Sequence, residues 1–331
     1  MLPHRLLLAA LFFSNQASEP ARQSPLPQGP GLAAQYPGDE GIAACADVLL
    51  HESFEEGAVA DLTSRWESVE KLEGGILQFV DDAPAGASGR RSLKITGTPT
   101  RNPGGNLYRR LPREVDQLFL RFYVKFPEPA NYVHHFVHIG GYHPSTAWPQ
   151  GGAGSRPAGN DRVTVGIEPF GRDGRVPAPG DWNFYAYWHE MKISADKRYW
   201  GNALTPRIRQ EVPVGRWQCV EVMLKLNKPG ESDGELALWL DGKLIMHIKK
   251  GTPRGPWTGM GFEVKDSGGE PFEGFNFRTT DDLKLNFVWL LLYLSETNSQ
   301  RNGVPSERPT VVQFDNVVAA TSYIGPIAPK R

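Results

Sequence analysis

Histidine and tyrosine are the residues of this chain whose placement suggests chemistry. Four of the eight histidines fall within YVHHFVHIGGYH, residues 132–143. A second dense segment is DWNFYAYWHE, residues 181–190. Imidazole titrates near neutral pH and can take up or release a proton during a reaction. A phenol can donate one. Aromatic rings also stack on sugar faces, while His, Arg and Asn reach hydroxyls and carboxylates. Alternate residues of a strand share a face. That places His134, Phe136 and His138 on one face, and His135, Val137 and Ile139 on the other. In the second segment Asn183, Tyr185, Tyr187 and His189 share a face. Trp182, Phe184, Ala186 and Trp188 share the opposite one. Arg121, Tyr123 and Lys125 form the polar face of a third strand candidate, residues 117–126. The expected surface thus joins imidazole, phenol and cation. Its catalytic candidates are His138, Tyr185, Tyr187 and His189. Its substrate-binding candidates are Arg121, Tyr123, Lys125, His134, Arg162 and Asn183. The alternative is a set of ordinary polar outer faces.

Other chemistries fit less well. His134 and His138 are four apart, which suits one face of a helix. On a strand their Cβ atoms would stand roughly 13 Å apart, too far for one ion. No His-Glu-x-x-His pattern is present, so no metal cofactor is expected to be required. The segment WPQGGAGSRPAGNDR, residues 148–162, is rich in glycine but lacks the Lys-Ser/Thr ending of a phosphate loop and precedes a strand. It reads as a long loop beside the site. The run Glu231-Ser232-Asp233-Gly234-Glu235 has the carboxylate spacing of some glycoside hydrolases. Pro229-Gly230 before it and Asp233-Gly234 within it make it a turn between strands.

Period-two segments supply the elements that must hold these residues. In 117–126, Leu118, Leu120, Phe122, Val124 and Phe126 share one face. Segments 161–168 and 216–227 alternate in the same way. Asp241-Gly242 between two apolar runs predicts a tight hairpin. Residues 283–294 are almost continuously apolar, as in a central strand buried on both faces. Short helices are expected near Asp61–Glu67 and Asp196–Tyr199. With no long helical period, the fold expected is all-β: two antiparallel sheets packed as a jelly-roll sandwich. One domain is expected over residues 45–327.

The chain has 331 residues and a net charge of -1, with 36 Lys+Arg against 37 Asp+Glu. That balance gives no drive toward nucleic acid. No run of about 18 apolar residues is present to span a membrane. Leu6–Phe13 is a short apolar run after His4 and Arg5, so residues 1–17 read as a signal peptide and the chain as secreted or periplasmic. Residues 18–44, rich in Pro, Gly and Gln, read as a disordered linker. Export would permit a disulfide between Cys45 and Cys219, with two free thiols as the alternative. A monomer is expected.

Four segments carry a family resemblance: FYVKFPEPANYVHHFVHIGGY, NFYAYWHE, RWQCVEVMLKLNKPGESDGELALWLDGKLI and FDNVVAATSYIGP. Over roughly residues 90–325 the chain resembles the concanavalin A-like jelly rolls. More narrowly, it is similar to polysaccharide lyases of the alginate-lyase family 14 type. The resemblance implies a polysaccharide partner, possibly acidic, and β-elimination at a uronic-acid sugar. Tyr185 and Tyr187 match the family's Tyr-x-Tyr. Its lysine after Gly-Gly is replaced by Tyr142, and Thr164-Val165-Gly166 stands where it has Ser-x-Arg. Lectins and glycoside hydrolases share this fold, so a non-catalytic glycan-binding module and a hydrolase using Glu168 and Glu190 stay open. Asp315, near the backbone of Glu52, resembles the fold's position for a structural calcium ion.

Overall fold

The structure is a computed structural model that describes residues 25–330. The expected signal peptide, residues 1–17, lies outside the described residues.

Alternation of side chains produces two large sheets that share one core. The first runs in the order Lys243–Ile248, Glu235–Leu240, Gln218–Lys225, Gln117–Lys125, Thr310–Ala320, Ser92–Gly97 and Leu77–Val80, with Val48–Glu52 also paired to Thr310–Ala320. The second runs Trp257–Thr258, Gly261–Glu263, Asn202–Thr205, Asp181–Tyr187, Arg162–Phe170, Val137–Tyr142, Leu285–Tyr293, Gly104–Val115 and Ser68–Glu70. Pairing is antiparallel except between Asn202–Thr205 and Gly261–Glu263. This is the expected two-sheet jelly-roll sandwich.

The inward faces are those the alternation marks. Leu118, Leu120, Phe122, Val124 and Phe126 of the first sheet pack against Val137, Ile139, Val163, Val165, Ile167, Trp182 and Phe184 of the second. The apolar run 283–294 forms the strand Leu285–Tyr293 inside the second sheet. Asp241 and Gly242 both take positive φ, 50° and 77°, in the tight turn that Asp-Gly favours. The expected turn forms at Pro229-Gly230, closed by the Glu231 N–H donating to the Lys228 carbonyl at 2.9 Å, and Asp233 follows it in an isolated bridge to Phe275. The helix expected near 61–67 forms as the 3-10 segment Val59–Ser64. That expected near 196–199 is a turn. The α-helix Glu296–Arg301 went unforeseen; it is short and polar, and Ser295 caps it by accepting the Asn298 N–H.

Residues 25–44 correct the expectation of a disordered linker. They form three short 3-10 turns laid over the outer face of the first sheet. Ala33 and Ile42 join Phe119, Met223, Trp239, Val318, Tyr323 and Ile324 in a second, smaller core. The Trp239 indole N–H donates to the Pro27 carbonyl at 2.8 Å. The C-terminal stretch lies beside them: Ile324 and Gly325 donate their backbone N–H groups to the Glu221 carboxylate at 2.7 and 2.8 Å. Apolar residues spaced along an otherwise polar segment gain burial by covering a sheet face that would otherwise be wet.

Three expected binding residues on this face are engaged within the protein, two of them by the cover. Arg121 is 0% exposed and pairs with Asp39, itself 1% exposed, from the covering segment. The Tyr123 hydroxyl accepts the Ile327 N–H at 2.9 Å. Lys125 pairs with Asp82 at 2.7 Å. Cys45 and Cys219 are both free thiols, which corrects the expected disulfide. Cys219 is buried beside Tyr123, under the cover, while Cys45 is partly exposed beside Tyr36.

Removing Asp39 leaves a buried guanidinium without its partner, a change that typically costs about 3–5 kcal/mol. Asp39→Ala should therefore lower the denaturant midpoint sharply, and an unchanged midpoint would show that the cover is not latched. Burial also pushes the Asp315 carboxyl up to about 8 and the Glu221 carboxyl up to about 7. The unfolded chain releases these protons near pH 4, and the folded chain holds them to higher pH. Their contribution to stability therefore falls as pH rises from about 4 to 8. The stability of Asp315→Asn relative to the parent should rise across that window, as read by denaturant unfolding at each pH.

Candidate functional site

The outer face of the second sheet carries the remaining candidates. Its strands lie in a register that brings them into one row. Tyr185 stands opposite Gly166, Gly166 opposite His138, His138 opposite Trp289, and Trp289 opposite Tyr108. In the neighbouring row Asn183 stands opposite Glu168. Cross-strand partners share a face, and Tyr185 and Asn183, like Gly166 and Glu168, are two places apart on one strand, so both rows lie on the face opposite the inward Phe184 and Ile167.

The histidine segment departs from simple alternation. Its regular strand begins only at Val137. Before it, His134 and His135 both donate backbone N–H groups to the Tyr293 carbonyl, at 2.8 and 3.2 Å. This irregular pairing shifts the phase. His135 comes onto the same face as His138, whereas strict alternation sets them on opposite faces. The His135 Nδ1 lies 3.0 Å from Glu168 Oε1, and His138 Nε2 lies 3.5 Å from the same oxygen. His134 stacks on His135 and on Tyr293, with ring centroids 4.4 and 5.1 Å apart. Burial lowers the pKa of both His134 and His138 to about 4. His135 is the functional candidate that the alternation argument missed. Its only sequence signal was its place beside His134 in a histidine-rich run.

Tyr185 adjoins this cluster, its ring 5.2 Å from that of His135. Its hydroxyl lies 3.4 Å from the Tyr187 hydroxyl. Burial, then the neighbouring Tyr187 and Glu168, raise the Tyr185 pKa above the ordinary phenol value, so Tyr185 keeps its proton. Asn183 is buried and donates to the Glu168 backbone carbonyl at 3.0 Å. It holds the floor together.

The glycine-rich loop is pinned over the far end of the row. Arg162 donates to the carbonyls of Gly151, Gly152 and Ser155, at 3.1, 3.1 and 2.6 Å. Its guanidinium also lies 5.7 Å from the centre of the Tyr187 ring. Arg162 is therefore at the site, with three of its donors given to the loop. The Tyr108 hydroxyl donates to the Thr146 carbonyl at 3.1 Å. Tyr142 is buried and stacks on Phe287 at 4.6 Å.

His189 lies past the end of its strand, under Gly159 of the loop. Among the described residues no hydrogen bond or ring contact joins it to Tyr187 or His138. Glu190 is likewise beyond the strand end, accepting from Asn276 Nδ2 at 3.0 Å. It is therefore not assembled with Glu168. A cavity of about 470 Å³ lined by Arg109, Arg110 and Arg113 lies along Gly104–Val115, apart from the histidine and tyrosine cluster. Asp315, on the first sheet, is buried with one carboxylate oxygen lacking a partner. The Glu52 carboxylate, for its part, accepts from Phe54, Arg65 and Trp66.

No protein-family model matches the chain, and no curated protein matches it. Solved structures do. Alginate lyase Aly36B superposes with a TM-score of 0.52 at 13% identity, covering 85% of this chain and 98% of that one. Alginate lyase vAL-1 from Chlorella virus superposes with a TM-score of 0.52 at 13% identity, covering 83% and 100%. The marine PL-14 alginate lyase from Aplysia kurodai superposes with a TM-score of 0.53 at 15% identity, covering 83% and 100%. At these identities the likeness is one of fold: the chain is a jelly-roll β-sandwich similar in architecture to the alginate lyases.

Proposed function

We propose that this protein is a polysaccharide lyase that cleaves a uronic-acid-containing polysaccharide by β-elimination, acting outside the cytoplasm as a monomer. The observation that carries the reading is the tyrosine pair, with hydroxyls 3.4 Å apart, set beside the His135–His138–Glu168 cluster on the uncovered sheet face. The architecture supports it, since an Aly36B variant of this fold has been seen with an alginate tetrasaccharide.

In β-elimination the C5 proton next to the sugar carboxyl is removed and the glycosidic oxygen leaves as it gains a proton. Tyr185, held protonated by burial, is the proposed acid for the leaving oxygen. Tyr187, as the phenolate beside the Arg162 guanidinium, is the proposed acceptor of the C5 proton. It lies within reach of Tyr185, so one proton can be returned along the pair after each turnover. His138, with its pKa lowered to about 4, is a weak proton acceptor at neutral pH. It packs with His135 against Glu168 beside the tyrosine pair, where the sugar carboxyl needs a positive charge to neutralise it before C5 becomes acidic.

A panel of uronic-acid and neutral polysaccharides, followed by ultraviolet absorbance of the conjugated product, tests this. Tyr185→Phe and Tyr187→Phe should each lower the rate by about 100-fold or more. His189→Phe should leave it near the parent value. Full activity in both tyrosine variants would overturn the assignment. Binding without cleavage would favour the glycan-binding module, and cleavage without an unsaturated product a hydrolase. A structural calcium ion at Asp315 is a separate proposal, supported by its unpartnered buried carboxylate oxygen. Ca2+ should raise the melting temperature of the parent chain and leave that of Asp315→Asn unchanged.

A further inference from the structure

Three electron-pair donors converge at the foot of the row. Glu168 Oε1, His135 Nδ1 and His138 Nε2 all lie within 4.8 Å of one another. The tautomer of His138 is fixed from behind. Its Nδ1 lies 3.0 Å from the Phe136 carbonyl oxygen, which can only accept, so Nδ1 carries the proton. Nε2 therefore presents a lone pair, and that lone pair faces a carboxylate oxygen at 3.5 Å. His135 can place one proton between itself and Glu168. Nothing in the cluster then separates the Glu168 oxygen from the His138 lone pair.

Two imidazole nitrogens and a carboxylate oxygen gathered this closely are the donor set of a transition-metal site. Donors bound tetrahedrally at about 2.0–2.1 Å stand roughly 3.4 Å apart. Two of the three separations here are already 3.0 and 3.5 Å. The space is kept by Gly166. A Cβ at that position would sit 2.8 Å from His138 Nε2 and 3.0 Å from Glu168 Oε1. The supports such a site needs are also in place: the Phe136 carbonyl orients His138, and Asn183 holds the Glu168 backbone at 3.0 Å.

We infer that His135, His138 and Glu168 bind one divalent transition-metal ion of the Zn2+ class, with a further coordination position open on the uncovered sheet face. His135, 27% exposed, forms the open side. Three protein ligands and an open position are the pattern of a site that takes a substrate oxygen. The use of that position rests on the lyase reading: a sugar carboxylate bound there would be neutralised by the ion. Among the described residues Arg121 and Lys125 lie on the other sheet and Arg162 holds the loop, while Arg301 stands beside His134 rather than beside the three ligands.

The test begins with the full chain, stripped by a chelator and titrated with Zn2+ by calorimetry. Co2+ substitution then reports coordination through its visible d–d bands. The expected result is one equivalent of Zn2+. His135→Ala and Glu168→Gln should weaken binding by more than the about 100-fold that losing a supporting hydrogen bond costs. Gly166→Ala keeps all three ligands but fills their meeting point, and should weaken binding equally. His135 is partly exposed, so His135→Ala should stay folded, with melting curves as the check. Parent-like Zn2+ binding in folded His135→Ala and Gly166→Ala would overturn the site, as would no stoichiometric binding by the parent chain. Competition with Mn2+ and Fe2+ identifies the preferred ion. Zn2+ binding without cleavage of any uronic-acid polymer would sustain the site and sink the lyase reading. Cleavage undiminished in metal-free protein would sustain the lyase reading and overturn the ion's part in it.

Discussion

A sandwich of two sheets seals one face of each sheet in a common core and leaves two outer faces to be dealt with. The division of labour between those faces governs the rest of this molecule. The outer face of the first sheet carries Arg121, Tyr123, Cys219, Glu221 and Trp239, a mixture too polar for a core and too apolar for water. Residues 25–44 and the C-terminal stretch resolve that mixture by covering it. Asp39 meets the guanidinium, and Ala33 and Ile42 meet the rings. Among the described residues the second sheet has no comparable cover. Its outer face is left to a pinned loop and to whatever binds there.

On that uncovered face, the phase of the histidine segment decides what is assembled. A strand running regularly from His134 would divide His135 and His138 between the core and the surface. The two N–H groups that share the Tyr293 carbonyl delay the strand by a few residues, and both imidazoles come to face Glu168. Gly166 contributes by having no side chain. Placed between Tyr185 and His138 in the row, it keeps the ground between them clear.

The fold was legible in the sequence because period-two alternation and the Asp-Gly turn are local signals, and both are obeyed. The inward residues of 117–126 and the hairpin at Asp241-Gly242 are direct examples. The tyrosine pair was legible for the same reason, since Tyr185 and Tyr187 lie on an uninterrupted strand. Arg121, Tyr123 and Lys125 were misplaced because alternation tells which face a residue takes but not what covers that face. The covering segment shows no periodicity, and its composition resembles that of disordered chain. His135 was missed because an irregular pairing is set by the neighbouring strand, which a single segment does not record. Cys45 and Cys219 illustrate the same limit: pairing depends on where two distant segments meet, and here they meet other partners.

The cover has a further consequence. Residues 25–44 and 323–330 run side by side, with Leu32 and Ala33 donating to the carbonyls of Tyr323 and Ile324, and Gly38 to that of Ala328. Both ends of the described chain therefore leave from the back of the molecule, on the sheet opposite the histidine and tyrosine row. A reporter joined directly at residue 25 or residue 330 would start behind the protein. A long polymer could then be threaded across the front without meeting that junction.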